Sequence, residues 1–379
     1  MGLMSGTSLD GADGVLVDFS AARPRVLAAA SAAFSESFRA ELLDLNSPGE
    51  NELHRAALAA NQLAILYASV VKSLLKSAAS HGIEATDVRA VGAHGQTVRH
   101  RPQEFGEGNQ AGSAVGYTLQ LNNPALLAEL AGVDVVADFR SADLAAGGQG
   151  APLVPAFHQA LWALTGRSTA VLNIGGISNV TLLPAHGAVQ GFDCGPGNVL
   201  MDLWCHRHTG QAYDKDGAWA ASGKVHPELL RRLLASPFFA RVPPKSTGRD
   251  LFNPVWLSRQ LEGFTHCAPE DVQATLTALT AGACARDVMA YLPNATELLV
   301  CGGGALNAEL MRQLVRALPG LHIESTQARG LPPLQVEAAA FAWLARAWHQ
   351  EQPGNLAAVT GACGPRVLGA LYRAPRLSL

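Results

Sequence analysis

Charge is scarce in this sequence. Charged residues make up 16% of its 379 positions, against roughly 25% in an average globular protein. The 28 basic and 31 acidic side chains leave a net charge of −3. No basic block or stripe stands out, so the electrostatic footprint of a nucleic-acid binder is missing, and nothing favours an anionic membrane surface. Long apolar runs are missing too: none reaches the roughly 18–20 residues that spanning a bilayer requires. No basic segment leads into the apolar stretch of a secretory leader, and Gly6 breaks the myristoylation pattern. The six cysteines form no C-x-x-C pair, and scattered thiols without a framework fit a reducing, cytoplasmic compartment. Cys205, His206 and His208 fall on one expected helix, where neighbouring residues face different ways and make a poor metal set. No G-x-x-x-x-G-K-[ST] occurs, and Asn307 stands where a dinucleotide fingerprint starting at Gly302 needs its last glycine.

Glycine, by contrast, is plentiful at 38 residues, about one in ten where ~7% is usual. Apolar strands alternate with amphipathic helices, which reads as α/β. Strands are expected at 14–19, 88–93, 117–121, 133–137, 169–174, 180–183 and 297–301. A long helix is expected over 52–80, because Leu63, Tyr67, Val70 and Leu74 fall on one face. Asn123 followed by Pro124 reads as a cap and first turn opening a helix to Leu130. Further helices are expected at 153–164, 198–208, 270–291, 306–317 and 335–349. One pattern occurs twice: an apolar stretch, a small polar turn and another apolar stretch, at 1–19 and again at 170–183. Each reads as a β-hairpin, and the repeat predicts two related halves. The loop 138–151 is the expected boundary, with Gly147, Gly148, Gln149 and Gly150 as a hinge.

Four segments carry chemistry. The turns of the two hairpins present backbone N–H groups able to wrap phosphate oxygens, with hydroxyls from Ser5, Thr7 and Ser8 beside the first. Asp10 and Asp13 suit Mg²⁺, which favours carboxylates together with phosphates. An ordinary tight hairpin is the alternative for either turn alone. In 191–198 (GFDCGPGN), Asp193 is expected at a strand end among three glycines, directly before a helix, a place where phosphate is favoured; an Asx turn is the alternative. In 299–307 (LVCGGGALN), a buried strand runs into Gly302, Gly303 and Gly304, a turn suited to adenosine or phosphate. His94 and Gln96 follow one strand and Arg140 another, at the strand ends where ligands of α/β sheets sit. Glu337 opens an apolar helix, either capping it or reaching a sugar hydroxyl. Residues 245–248 (KSTG) offer a cation and two hydroxyls.

Together these segments resemble the superfamily of acetate kinase, hexokinase, heat-shock ATPases and actin. Within it they resemble the anhydro-N-acetylmuramic acid kinase family most closely. The resemblance rests on 2–11 (GLMSGTSLDG), 93–99 (AHGQTVR), 122–130 (NNPALLAEL), 135–140 (VVADFR), 145–156 (AAGGQGAPLVPA), 172–180 (LNIGGISNV), 191–202 (GFDCGPGNVLMD), 213–222 (YDKDGAWAAS), 244–249 (PKSTGR), 300–307 (VCGGGALN) and 359–369 (VTGACGPRVLG). It implies two RNase H-like, actin-like ATPase domains around a deep nucleotide and substrate cleft: 1–137 with 358–379, and 138–357. It also implies ATP contacts at Gly6, Thr7, Ser8, Leu9, Asp10, Gly11, Ala12, Asp13, Gly175, Gly176, Asn179, Gly302, Gly303 and Gly304. Asp193 would be the catalytic base. His94, Gln96, Arg140 and Glu337 would contact the sugar, and Mg²⁺ would sit at Asp10 and Asp13 through phosphates or water. The implied reaction opens 1,6-anhydro-N-acetylmuramic acid with water and phosphorylates O6, in peptidoglycan recycling by a cytoplasmic homodimer. The family usually carries more residues before Ser5, so the expectation is that either the true start lies upstream or the short first strand frays at its edge of the sheet. The rival readings are a kinase for a free hexosamine, an actin-like ATP switch, and a glycosidase using Asp193 and Glu337 as its two carboxylates.

Overall fold

The computed structural model describes residues 1–6, 9–21, 24–80, 82–103 and 115–375. They form two compact units, residues 1–157 with 335–379 and residues 158–334. The first carries strands β1 (Gly2–Met4), β2 (Gly11–Asp18), β3 (Arg25–Ala33), β4 (Val91–Ala93), β5 (Gln96–Arg101), β6 (Tyr117–Leu121) and β7 (Val135–Ala137). The second carries β8 (Thr169–Ile174), β9 (Ile177–Leu183), β10 (Gln190–Pro196), β11 (Glu297–Cys301) and β12 (His322–Ser325); β13 (Ala370–Tyr372) returns to the first.

Both expected hairpins form, β1 with β2 and β8 with β9. The strand orders repeat. The first sheet runs β13-β7-β4-β1-β2-β3 and the second β12-β11-β8-β9-β10. In each, a three-stranded antiparallel meander is extended by two parallel strands, and β13 adds an edge to the first. The duplication read from the two hairpins thus extends to the whole sheet. β1 lies in the middle of its sheet, between β4 and β2, so it is not the frayed edge that its length suggested.

Strand alternation assigns the faces of the first sheet. Leu3, Val91, Ala93, Val135 and Ala137 join the core under the helix Glu52–Ala79, with Leu63, Tyr67, Val70 and Leu74 all buried on that helix as its spacing predicts. By length and composition this helix is apolar enough to cross a membrane, contrary to the sequence reading. Here it packs that stripe into the sheet. Gly2 and Gly92, partners across β1 and β4, face the helix Val336–His349. A Cβ on Gly2 would strike the carbonyl of Ala338, and one on Gly92 that of Phe341. Asn123 caps the helix Pro124–Ala131 by accepting from Leu126 N at 3.0 Å, and Gly132 ends it at φ 66°. In the second unit, the helix Pro269–Tyr291 is buried on most sides against β9 and β10, with Val272, Leu276, Leu279 and Val288 in the core.

The boundaries differ from those expected at 137/138 and 357/358, and Asp143 gives the reason. It is fully buried and accepts from Gly150 N at 2.8 Å, Asn355 Nδ2 at 2.5 Å and Thr360 Oγ1 at 2.7 Å. Gln149 N also donates to Thr360 O at 2.8 Å. These bonds tie 141–150 to 355–360 inside the first unit, so the glycine-rich loop expected as a hinge is fastened there.

Candidate active site

Each unit gathers polar side chains at its expected ligand-facing loops. In the first, Leu9 N donates to Gly6 O at 3.2 Å and Leu9 itself adopts φ 57°. Thr7 and Ser8 lie outside the described residues. Gly11, Ala12 and Asp13 belong to β2, in register with Ala33, Ala32 and Ser31, so the turn proper is shorter than the sequence suggested. Asp10 and Asp13 are both exposed. The surrounding protein and then the nearby Asp10 charge raise the Asp13 carboxyl above its usual range. Two carboxylates that repel one another fit a divalent cation, whose charge would relieve both.

His94 and Arg140 form one assembly at the ends of β4 and β7. His94 is 5% exposed, and its Nε2 accepts from Arg140 Nε at 3.2 Å and Nη2 at 2.8 Å. Burial and then the Arg140 charge hold its pKa well below the normal histidine value, so the ring is neutral and carries its proton on Nδ1. Arg140 Nη1 donates to Gly150 O at 2.6 Å. Burial lowers Arg140 to about 10 while Glu337 and Asp143 oppose the shift, so it remains a cation at neutral pH. Burial raises Glu337, Asp13 adds to the shift and Arg140 opposes it. His94, Arg140, Glu337 and Asp13 therefore belong to one electrostatic group. Gln96 is placed differently: its Oε1 accepts the Ser5 hydroxyl and its Nε2 donates to Thr97 O at 3.3 Å. The oxygen end of that amide is engaged in holding the turn, and the nitrogen end bonds back to its own strand.

In the second unit the turn at Gly175 and Gly176 is latched onto the helix Val199–Thr209. Asn198 N donates to Gly175 O at 2.8 Å, and Gly197 N and Val199 N donate to Gly176 O at 2.9 and 3.1 Å. The latch uses the carbonyls of the turn and takes up the N–H groups of Gly197, Asn198 and Val199 at the helix start, where the sequence placed a phosphate. Gly302 has φ 77° and lies close against β8, where a Cβ would come 2.5 Å from Asn173 Oδ1 and 2.6 Å from Ile174 O. Gly303 lies beside the Asn198 amide. Asn173, Asn179 and Asp193 are successive partners across β8, β9 and β10, forming a polar row on one face that ends at the carboxylate.

Asp193 is therefore inside a strand and not at its end, and the register slips between Asp193 and Gly195. Its N–H donates to Lys245 O at 3.1 Å, and its Oδ2 accepts from Thr247 N at 2.9 Å. Burial raises the carboxyl to about 6, against the opposing pull of the Thr247 N–H and the Lys245 charge. At neutral pH such a group is ionised yet basic enough to take a proton from water.

The sequence reading missed several residues of these sites. Asn122 was read only as part of a motif, yet both its polar side-chain atoms are buried without a hydrogen-bond partner among the described residues, next to Gly95. Arg249 reaches over the second turn, 3.8 Å from where a Gly176 Cβ would stand. Asp287, the partner of Lys245 at 2.8 Å, lies far away in sequence on a helix without a motif. A triad of His226, His266 and Cys267 also comes together, but His226 Nδ1 accepts from Leu229 N at 3.3 Å as a helix cap. Metal on its Nε2 would require a proton on that same Nδ1.

The family model for anhydro-N-acetylmuramic acid kinase matches residues 1–374. The chain belongs to this family. A relative of that name from Variovorax paradoxus is 62% identical over 99% of this chain and 98% of its own length. One from Albidiferax ferrireducens is 59% identical over 99% of each. Among solved structures, the activator of 2-hydroxyisocaproyl-CoA dehydratase from Clostridium difficile superposes with a TM-score of 0.45 at 12% identity, covering 92% of this chain and 96% of that one. The family resemblance read from the motifs therefore holds across the whole chain.

Proposed function

We propose that the chain opens 1,6-anhydro-N-acetylmuramic acid with water and transfers the ATP γ-phosphoryl group to O6, giving N-acetylmuramic acid 6-phosphate and ADP for peptidoglycan recycling in the cytoplasm. The match of the anhydro-N-acetylmuramic acid kinase model to residues 1–374 carries this reading, and Asp193 gives it a mechanism. Asp193 takes a proton from water as the oxygen attacks the anomeric carbon. The bond from that carbon to O6 breaks, and O6 displaces ADP from the γ-phosphorus. In phosphoryl transfer the protein chiefly positions groups and neutralises charge. We assign that work to backbone N–H groups near Gly6, Gly175, Gly176, Gly302, Gly303 and Gly304, with Asn179 beside them and Arg249 as a nearby cation. Asp10 and Asp13 are the groups suited to hold Mg²⁺, which would neutralise phosphate charge. His94, Arg140 and Glu337 are assigned to the sugar, and Gln96 to shaping that turn. The working form is taken to be a homodimer.

The test is incubation with Mg-ATP and the anhydro-sugar in ¹⁸O-water, read by mass spectrometry. The expected product is an ATP-dependent sugar 6-phosphate carrying ¹⁸O on the anomeric carbon. Intact anhydro-sugar with ATP unconsumed would overturn the reading in favour of a free hexosamine substrate.

Asn122 supports a sugar contact on the first unit. A buried polar group without a partner costs about 1–3 kcal/mol, and a ligand hydrogen bond would offset that cost. Asn122→Leu is expected to leave the melting temperature equal or higher while raising KM for the sugar about tenfold, the worth of one such bond. A drop in melting temperature with KM unchanged would show that the amide serves only the fold.

A further inference from the structure

The segment 244–249 grips Asp193 at two points, the Lys245 carbonyl at 3.1 Å and the Thr247 N–H at 2.9 Å. From the first of these points the Lys245 side chain turns inward. Its Nζ donates to Asp287 Oδ2 at 2.8 Å, and the two side chains are only 1% and 3% exposed. The ammonium also lies 5.6 Å from the ring centre of Phe192, the residue before Asp193, and 5.2 Å from that of Phe238. Lysine and aspartate are almost never fully buried unless paired. A sealed ion pair is also a poor source of net stability, since apolar residues of similar volume often replace it without loss. Its position explains its presence better than its contribution to folding does.

We propose that the Lys245–Asp287 pair is a positioning device for Asp193: it pins the segment whose Lys245 carbonyl holds the Asp193 backbone N–H and whose Thr247 N–H holds the carboxylate, and it fixes a positive charge against Phe192, the residue before Asp193. The inference rests on the reading of Asp193 as the base. The other ionisable groups around this corner do not replace that charge. Cys194 on β10 and Cys284 on the helix Pro269–Tyr291 are buried thiols, and their mutual hydrogen bond, followed by burial, pushes Cys194 well above the usual thiol range. Arg286 lies 3.6 Å from Asp287 Oδ1 but is 43% exposed. Arg249 leans over Gly176. Lys245 is the cation that draws the Asp193 carboxyl downward, alongside the Thr247 N–H.

The experiment compares the parent with Lys245→Met/Asp287→Leu, which removes both charges and leaves no buried ion unpaired, and with Lys245→Arg, which keeps the cation. Each is assayed for kcat and KM from pH 5 to 9, alongside Asp193→Asn. Without the fixed charge Asp193 holds its proton more tightly. The acid limb of kcat in the double variant is expected to move up by about one pH unit, a roughly tenfold loss of rate on that limb, with KM for the sugar within about twofold. Lys245→Arg is expected to keep the limb at the parent pH even where its bulk lowers kcat. A folded double variant with the parent limb and kcat would overturn the proposal, as would the same displaced limb in Lys245→Arg. If Asp193→Asn retains the parent rate and limb, the base assignment fails and the positioning role falls with it. A limb lost in Asp193→Asn but unmoved in the double variant sinks the positioning role alone.

Discussion

Asp193→Asn is expected to lower kcat by 10²–10⁴, the usual worth of a general base, while making the protein more stable above pH 6. The two effects share a cause. Burial raises the Asp193 carboxyl from 3.8 to about 6 in the folded chain. Below pH 4 the group is protonated whether the chain is folded or not, and its shift costs nothing. Between about 4 and 6 the unfolded chain releases the proton while the folded one retains it, so stability falls as pH rises. Above 6 the folded chain carries a poorly solvated anion, and the loss is complete. At about 1.36 kcal/mol per unit, with the Thr247 bond still available to asparagine, the relief is on the order of 1–3 kcal/mol. Melting curves of parent and variant should coincide near pH 4 and separate above pH 6. Parent activity should fall as pH drops through about 6, because only the ionised carboxylate accepts a proton. A variant that keeps its rate, or that melts lower than the parent at pH 8, would contradict this account.

Local pattern made much of the fold legible. Residues 169–174 and 297–301 form strands over just those spans, and Asn123-Pro124 opens its helix as expected. Each rests on periodicity or a cap, which neighbouring residues determine. The expected domain boundary differs from that of the two compact units, since glycine-rich composition marks a loop without saying what holds it. The bonds from Asp143 to Asn355 and Thr360 join residues that no local window includes. The site followed the same division. Asp193, Gly302 and the turn at Gly175 announce themselves by glycine spacing. Asn122 and Asp287 do not, because one is defined by the absence of a partner and the other by a partner far away in sequence.

Gly92→Ala is expected to be among the most damaging single-methyl changes in the first unit. Gly92 sits in β4, in register with Gly2 of β1 on one side and Val136 of β7 on the other. The added carbon would run into the Phe341 carbonyl, a helix backbone atom and not a side chain that can swing aside. Overpacking a core costs typically 1–3 kcal/mol where side chains can adjust. Here a whole helix must lift, so the loss is expected at or above about 3 kcal/mol, or roughly 6–12 °C at 2–4 °C per kcal/mol for a unit of this size. Function should fall with it. Phe341 is one turn beyond Glu337, and its ring packs 4.6 Å from His94 and 5.6 Å from Phe139. Lifting that helix moves Glu337 relative to Arg140, so KM for the sugar should rise in whatever fraction folds. Gly282→Ala is the control. It lies inside the helix Pro269–Tyr291 with nothing within 4 Å of the new carbon, and alanine there should add about 0.5–1 kcal/mol. Calorimetry on the two variants separates the explanations: equal losses would mean that glycine content matters at both sites, whereas opposite signs would place the cost at the contact between β4 and the helix Val336–His349.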